Sequence, residues 1–400
     1  MPAYLSSAQL ARDLAIPDLT DPADGPHAIQ QLAATAVAAL AAAWNCEVRW
    51  CRGPRVVSVA DNYDCLGYAV ADVTRAARYT RYVDSHRMLR SHSTALVPAA
   101  LRQLAAQWAS ASLPADADVL LACPGISYRR DSIDWQHTGT PHQLDLWRIR
   151  RRPLTGADLS GMAEILLTAL VPGQPARQEP RRHPYTTGGR QVDVRSGGSW
   201  VEVWECGVAH RGVLARCGLP GWHGLALGMG LDRLLMLRKG IPDIRLLRSG
   251  DPRVAGQLQD LAPYRPVSRQ PAVRRDLSVA VPAGEDAETL GDRIRDALGA
   301  DADAVEDVRV LSRTAAADLP AAAAARLGIR PGQENLLVRI VLRRLDRSLT
   351  DEEANALRDQ VYLAIHAGGS VQLADPRRPG VDVHRSAAQE ADERQPGVVG

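Results

Sequence analysis

No phenylalanine occurs anywhere in the 400 residues, and Lys239 is the only lysine. Nine tyrosines and eight tryptophans are present, so one residue type is missing and not aromatics as a class. Long apolar runs are missing too. None approaches the roughly 20 residues that span a bilayer, which excludes a helical membrane protein, predicts a soluble chain and gives no membrane partner. Residues 1–14 lack the charged-then-apolar layout of a secretion signal, so a cytoplasmic address is expected. No two of the six cysteines stand at Cys-x-x-Cys spacing. They are read as free buried thiols, not disulfides or zinc ligands. Net charge is only +2, which leaves any nucleic-acid binding to local patches. Arginine supplies every other basic residue; that suits bidentate phosphate contacts and equally follows from a GC-rich genome.

The length fits two or three domains. Apolar periodicity predicts helices at 28–44, 94–109 and 154–170, the last with Thr155 as N-cap. Strands are expected at 47–50, 56–60, 119–123 (ending in Pro124-Gly125), 142–151, 191–194 and 200–204. Residues 174–190 read as loop, rich in Pro, Gly and Arg. Gly224, Gly228 and Gly230 read as a turn into a helix starting near Leu231, and Pro242 closes that region. A Pro-containing linker at 257–269 precedes a second pattern: strand 276–281, helix 287–298, strands 305–311 and 336–342, and helix 350–366, opened by the Thr350/Glu353 capping box. A short strand at 371–373 would complete a β-α-β-β-α-β order, the split ferredoxin-like arrangement. The polar tail 375–400 is expected to be disordered.

Two clusters carry chemistry. Tyr128-Arg129-Arg130-Asp131, Ile133 to His137 and His142-Gln143-Leu144-Asp145 form a strand–loop–strand. Arginine at the end of the first strand suits a nucleotide phosphate, and the acid on the second suits an ammonium; a plain salt-bridged hairpin fits as well. Gly228-Met229-Gly230 before Leu231-Asp232-Arg233 lets a helix N-terminus approach a ligand, with an arginine in its first turn.

Taken together, these clusters resemble the second and third signature motifs of class II aminoacyl-tRNA synthetases, and the phenylalanyl family in particular. Leu89 to Thr94, Ala122 to Gly125, Glu202, Cys206-Gly207 and Gly240 to Arg245 extend the resemblance over about residues 25–250. Tyr264-Arg265-Pro266, Pro271 to Leu277 and Leu349 to Glu353 are similar to that family's ferredoxin-fold anticodon-binding domain. The resemblance implies an α+β chain: an N-terminal extension (1–24), a catalytic domain built on an antiparallel sheet with flanking helices (25–256), the linker (257–269), the ferredoxin-like βαββαβ domain (270–374) and the tail (375–400). It implies ATP and Mg2+ as cofactors and tRNA as partner through the C-terminal domain, in a monomer or homodimer. By the same carry-over, Arg129 holds the α-phosphate and Arg233 the γ-phosphate as the catalytic pair. His137, Gly228 and Gly230 join them in binding ATP. His92, Thr94, Gln143, Asp145, His183, Tyr185 and Ala226 form the amino-acid site, with Gln143 and Asp145 on the α-amino group. Glu202 is the implied magnesium ligand.

The chain departs from the family at specific places. Asp145 stands where glutamate is usual and is followed by Leu146-Trp147. His183-Pro184-Tyr185 stands for a Phe-Pro-Phe segment, Gly224 to Gly228 carries leucines for phenylalanines, Thr187 and Gln191 stand where acids are common, and Glu205 replaces a glycine. In one reading His183 and Tyr185 still sandwich an aromatic ring. In the other the pocket has turned polar and takes a modified amino acid. The leading expectation is activation of phenylalanine or a close aromatic analogue and its transfer to tRNA. The rivals are a specialised relative using an unusual amino acid, with tRNA or another acceptor, and a non-catalytic tRNA-binding regulator. The missing phenylalanines fit an enzyme whose own synthesis is spared from phenylalanyl-tRNA scarcity, and equally fit compositional drift.

Overall fold

The apolar run at 28–44 forms one helix, Ala28–Trp44, and the sequence supplies both of its ends. The His27 ring accepts the Ile29 N–H at the start, and Asn45 takes the left-handed conformation (φ 48°) at the finish. In the computed structural model, which describes residues 4–76, 79–267 and 270–371, this is α2; α1 (Ser7–Ala15) precedes it, opened by a Ser6/Gln9 capping box.

A seven-stranded sheet lies beside α2. Its strands are β1 (Glu47–Trp50), β4 (Asp118–Ile126), β5 (His142–Arg150), β6 (Ala176–Pro180), β7 (Thr186–Ser196), β8 (Ser199–Ala209) and β9 (His223–Gly230), while β2 (Val56–Ser58) and β3 (Arg87–Leu89) form a separate pair. The order is β1-β4-β5-β9-β8-β7-β6, and every pairing is antiparallel except β1 with β4. The expected antiparallel sheet therefore has one parallel edge.

Side chains alternate across this sheet and separate two cores. Leu144, Leu146, Leu227, Met229 and Trp204 face a core shared with α2, α4 (Gly156–Leu170) and α6 (Leu231–Lys239). Trp147 and Ala226 face the opposite side, packed with α3 (Val97–Ala109) and α5 (Arg211–Arg216). Gln143, Asp145, Gly228, Gly230 and Glu205 fall by register on that second face, where the helical cover stops.

Four expectations change. Strand β4 runs through Pro124 and Gly125 instead of stopping before them. Its partner β1 ends opposite Ala122, so the missing Pro124 N–H leaves no β1 acceptor unmet. The loop expected at 174–190 instead holds edge strand β6 at 176–180 and the first residues of β7 from Thr186; every residue of β6 is exposed, and an edge tolerates Pro180. Gly224, Gly228 and Gly230 lie within central strand β9, not in a turn. The strand expected at 56–60 stops at Ser58 and gives way to a π-helical turn, Ala60–Asp64.

The second unit follows α7 (Pro252–Ala255), a single turn. Strands β10 (Val273–Pro282), β11 (Val305–Ala315) and β12 (Gln333–Leu342) pair antiparallel in the order β10-β12-β11. Helices α8 (Ala287–Leu298) and α10 (Asp351–Ile365) cover one face through Leu290, Ile294, Leu357 and Val361; α9 (Ala321–Leu327) lies between β11 and β12 in sequence. The elements thus run β-α-β-α-β-α, with α9 added between the two strands expected to be consecutive. Of the closing strand expected at 371–373 only Val371 is described, and the tail at 375–400 lies outside the described residues.

The two units meet at the loop between β4 and β5. Ile133 joins the second unit's core, the Val308 N–H donates to the Ile133 carbonyl (3.0 Å), and Arg295 donates to the carbonyls of Asp131 and Ser132 (2.5 Å each). Gly291 allows this approach: a Cβ there would sit 2.6 Å from the Asp131 carbonyl oxygen. Arg81 and Arg130 both pair with buried Asp292. Among the described residues no helix is long and apolar enough to cross a membrane.

Candidate functional site

Backbone pairing of Ser127 with Pro141 and of Arg129 with Gly139 extends β4 and β5 beyond the sheet as a hairpin. Arg129 stands on it, its Nε bonded to Asp131 at 2.9 Å and its side chain partly open to solvent. Arg129 lines a cavity of about 160 Å³ together with Gln143, Glu202, Glu205, Gly228 and Arg233. Arg233 enters from the first turn of α6 and donates to the Glu202 carbonyl (3.0 Å). Its neighbour Asp232 fixes that turn to β5: the His142 Nε2 accepts the Leu19 N–H, which directs the Nδ1–H at Asp232 (2.8 Å). Burial works against ionisation of Asp232, but His142 and Arg248 hold its carboxyl below the usual range. A Cβ on Gly230 would meet nothing within 4 Å, so the backbone is open to a ligand there.

His137 does not line this cavity. Its Nδ1 meets both Asp134 oxygens at 2.7–2.8 Å, and the residue lines the neighbouring space of about 540 Å³ with Arg245, Arg248 and Arg295.

Beside the arginine cavity the same sheet face carries a second set of side chains. Asp145 is buried and accepts from Ser93 Oγ (2.5 Å) and Trp147 Nε1 (3.4 Å). Burial, only partly opposed by Ser93, Thr94, Trp147 and nearby His183, raises its pKa to about 6. It is still mostly ionised at neutral pH, and an incoming cation would return it toward its ordinary value. Gln143 accepts from the Ser93 N–H (3.1 Å) and the Ser127 hydroxyl (2.8 Å) through its oxygen. Its remaining amide N–H donors suit a carboxylate.

Ring walls surround this acid. Tyr185 stacks on Trp147 (centroids 6.0 Å apart) and on His183 (5.2 Å), and Tyr68 lies 6.3 Å from Tyr185 and stacks on His92 (5.9 Å). Burial, and then the charges of His183 and Arg129, lower the His92 pKa to about 4, against a weak opposing contact with the Asn62 backbone. Thr94 is buried beside them, and Ala226 keeps the row next to Gly228 small.

Among the described residues there is no cluster of three or more His, Cys, Asp or Glu able to hold a metal alone. Glu202 nevertheless fits a magnesium that takes one or two carboxylates and completes its shell with phosphate and water. It lines the arginine cavity, and burial with nearby Glu205 raises its pKa.

Sequence reasoning missed Tyr68, Trp147 and Ser93. Tyr68 sits in an irregular segment after the π-helical turn, where no periodicity flags it. Trp147 was visible as a departure at the right strand period from Asp145.

Residues 15–258 match the tRNA synthetase class II core domain (F) family. The chain is 28% identical over 332 residues to the chloroplastic/mitochondrial phenylalanine–tRNA ligase of Arabidopsis thaliana, covering 80% of this chain and 71% of that one. It is 32% identical over 209 residues to the phenylalanine–tRNA ligase alpha subunit of Psychrobacter arcticus, covering 51% of this chain. A solved pyrrolysyl tRNA synthetase from Desulfitobacterium hafniense covers 60% of this chain and 78% of its own at 18% identity, with a TM-score of 0.40 too low to carry an argument. The chain spans only 56% of the Psychrobacter subunit's length. With the family matched over more than half of its residues, the chain belongs to the class II tRNA synthetase core family.

Proposed function

We propose that the chain joins an aromatic amino acid to AMP from ATP and passes the acyl group to a tRNA. One observation carries this reading: Arg129 and Arg233 line a single cavity that also reaches Gln143, on the strand that bears Asp145. The names of its relatives point to phenylalanine as substrate.

In this reading the substrate ammonium sits on Asp145 and its carboxylate takes the Gln143 amide N–H. That carboxylate attacks the α-phosphorus in line. A phosphorus–oxygen bond forms on the attacking side, the bond to the β-phosphate bridge breaks, and pyrophosphate leaves. Arg129 holds the α-phosphate and offsets the charge that builds on its oxygens, while Arg233 holds the γ-phosphate. Glu202 would hold a magnesium ion, whose chemistry when bound is neutralisation of phosphate charge. The nucleophile is already a carboxylate, so positioning does the work of a general base. A ribose hydroxyl at the tRNA terminus then displaces AMP from the carbonyl. The second unit would receive the tRNA.

Arg129→Ala tests the assignment. Amino-acid-dependent ATP–pyrophosphate exchange should fall by about 10³-fold, since one lost transition-state donor typically removes 10²–10³, with an unchanged thermal melt. Exchange at the parental rate in this variant would refute the role.

A further inference from the structure

The sheet register brings together two acids the mechanism does not treat alike. Asp145 and Glu205 both pair with Gly228, from strands on either side of β9. They therefore face the same way, with a residue that has no side chain between them. Adjacent strands lie about 4.8 Å apart, which places the two backbones roughly 10 Å from each other. That is the reach of an aromatic amino acid laid across Gly228 with its ammonium at Asp145.

The far end of this slot is not hydrocarbon. Glu205 is mostly buried (19% exposed) and lies 2.5 Å from His183 Nε2 and 2.6 Å from Arg181 Nε. Against the opposing effect of burial, those two partners hold the Glu205 carboxyl below its usual range, and a carboxylate keeps lone pairs beyond these two contacts. His183 is stacked flat on Tyr185 (25° between planes), so the ring wall and the polar end are one rigid piece. A plain phenyl ring pressed against this pair would meet buried charge and return no hydrogen bond. A ring bearing a donor would give its hydrogen to a remaining carboxylate lone pair, and sites built to bond a polar group reject the analogue that lacks it by large factors.

Resting on the adenylate-forming reading above, we propose that Glu205, with His183, selects an aromatic amino acid whose ring carries a hydrogen-bond donor, hydroxyl or amino, over phenylalanine. Arg181 acts through Glu205 as a positioning residue. The slot walls supply the aromatic preference and the Glu205 pair supplies the discrimination.

Calorimetric titration of the full chain with non-hydrolysable aminoacyl-sulfamoyl adenosines tests this without turnover. The probes carry phenylalanine, tyrosine, 3-hydroxyphenylalanine and 4-aminophenylalanine; adenosine 5′-sulfamate reports the nucleotide half alone. A hydroxylated or aminated probe should bind at least 100-fold more tightly than the phenylalanine probe. Glu205→Gly combined with His183→Phe should bring that ratio to one or below. The more conservative Glu205→Gln, which keeps the size of the side chain, should reduce it at least tenfold if the double variant does not fold. A phenylalanine probe that binds as tightly as the others in the parent overturns the inference and leaves the adenylate reading intact. So does a preference that survives Glu205→Gln. Binding by none of the aminoacyl probes overturns both.

Discussion

Asp145 is the residue on which the chemistry and the energetics disagree most usefully. Its carboxyl titrates near 6 in the folded chain, above its ordinary 3.8, because burial outweighs its hydrogen bonds. The folded state therefore holds this proton more tightly than the unfolded one. The group favours folding at low pH, and that advantage fades as pH rises from about 4 through 6. At neutral pH the ionised buried acid is a standing cost, so Asp145→Asn should stabilise the free protein by about 2 kcal/mol in thermal melts at pH 7. The same change should abolish amino-acid-dependent exchange, because the ammonium loses its counter-charge. In the parent, KM for the amino acid should rise as pH falls below 6 while KM for ATP stays flat. A flat amino-acid KM between pH 5 and 7 would remove Asp145 from the ammonium site. Much of this was legible in the sequence: Asp145 two residues after Gln143 on an alternating strand predicts one face for both. The raised pKa was not, since it comes from burial by segments distant in sequence.

Single elements matter here through what they hold. The β4–β5 loop bears Arg129, and its Ile133 side chain, 7% exposed, is buried in the core of the second unit. Truncating a buried isoleucine commonly removes 2–5 kcal/mol. Ile133→Ala should thus destabilise the second unit by about 2 kcal/mol, seen as a lower Tm, and at the same time raise KM for ATP several-fold by releasing the loop. Loss of stability with no change in ATP kinetics would show that the loop holds its shape unaided. The ends of α2, α4 and α10 were readable because each carries its own cap in adjacent residues, as with Thr155/Asp158 and Thr350/Glu353. Strand β9 was misread because its glycines look like a turn in isolation. Only the neighbours β5 and β8, far away in sequence, reveal why small residues belong in a central strand.

At the scale of the whole molecule the net charge is only +2, so contacts to a polyanion fall to local groups. The outer face of the second sheet carries Arg309 and Arg339 opposite each other in register, 70% and 40% exposed. Their partners Asp307 and Asp276 leave them at the surface, where ion pairs are weak and phosphate competes well. Arg309→Glu with Arg339→Glu should weaken tRNA charging by about tenfold in kcat/KM and flatten its salt dependence by up to two phosphate contacts, with exchange in the absence of tRNA unaffected. Charging that is indifferent to both changes would place the tRNA elsewhere. The two-unit division was visible from the Pro-containing segment near 263–266 and the change of pattern after it. The docking of the second unit on the Arg129 loop was not, because Gly291, Ile133 and Arg295 acquire their meaning only from each other.

The central claim is that this chain makes an aminoacyl-adenylate, and the direct measurement is amino-acid-dependent ATP–pyrophosphate exchange on the purified protein across phenylalanine, tyrosine and their hydroxylated and aminated analogues. The account predicts exchange that depends on an added aromatic amino acid and disappears in Arg129→Ala. No exchange above the amino-acid-free rate with any of them, in a protein that folds and binds ATP, would contradict it.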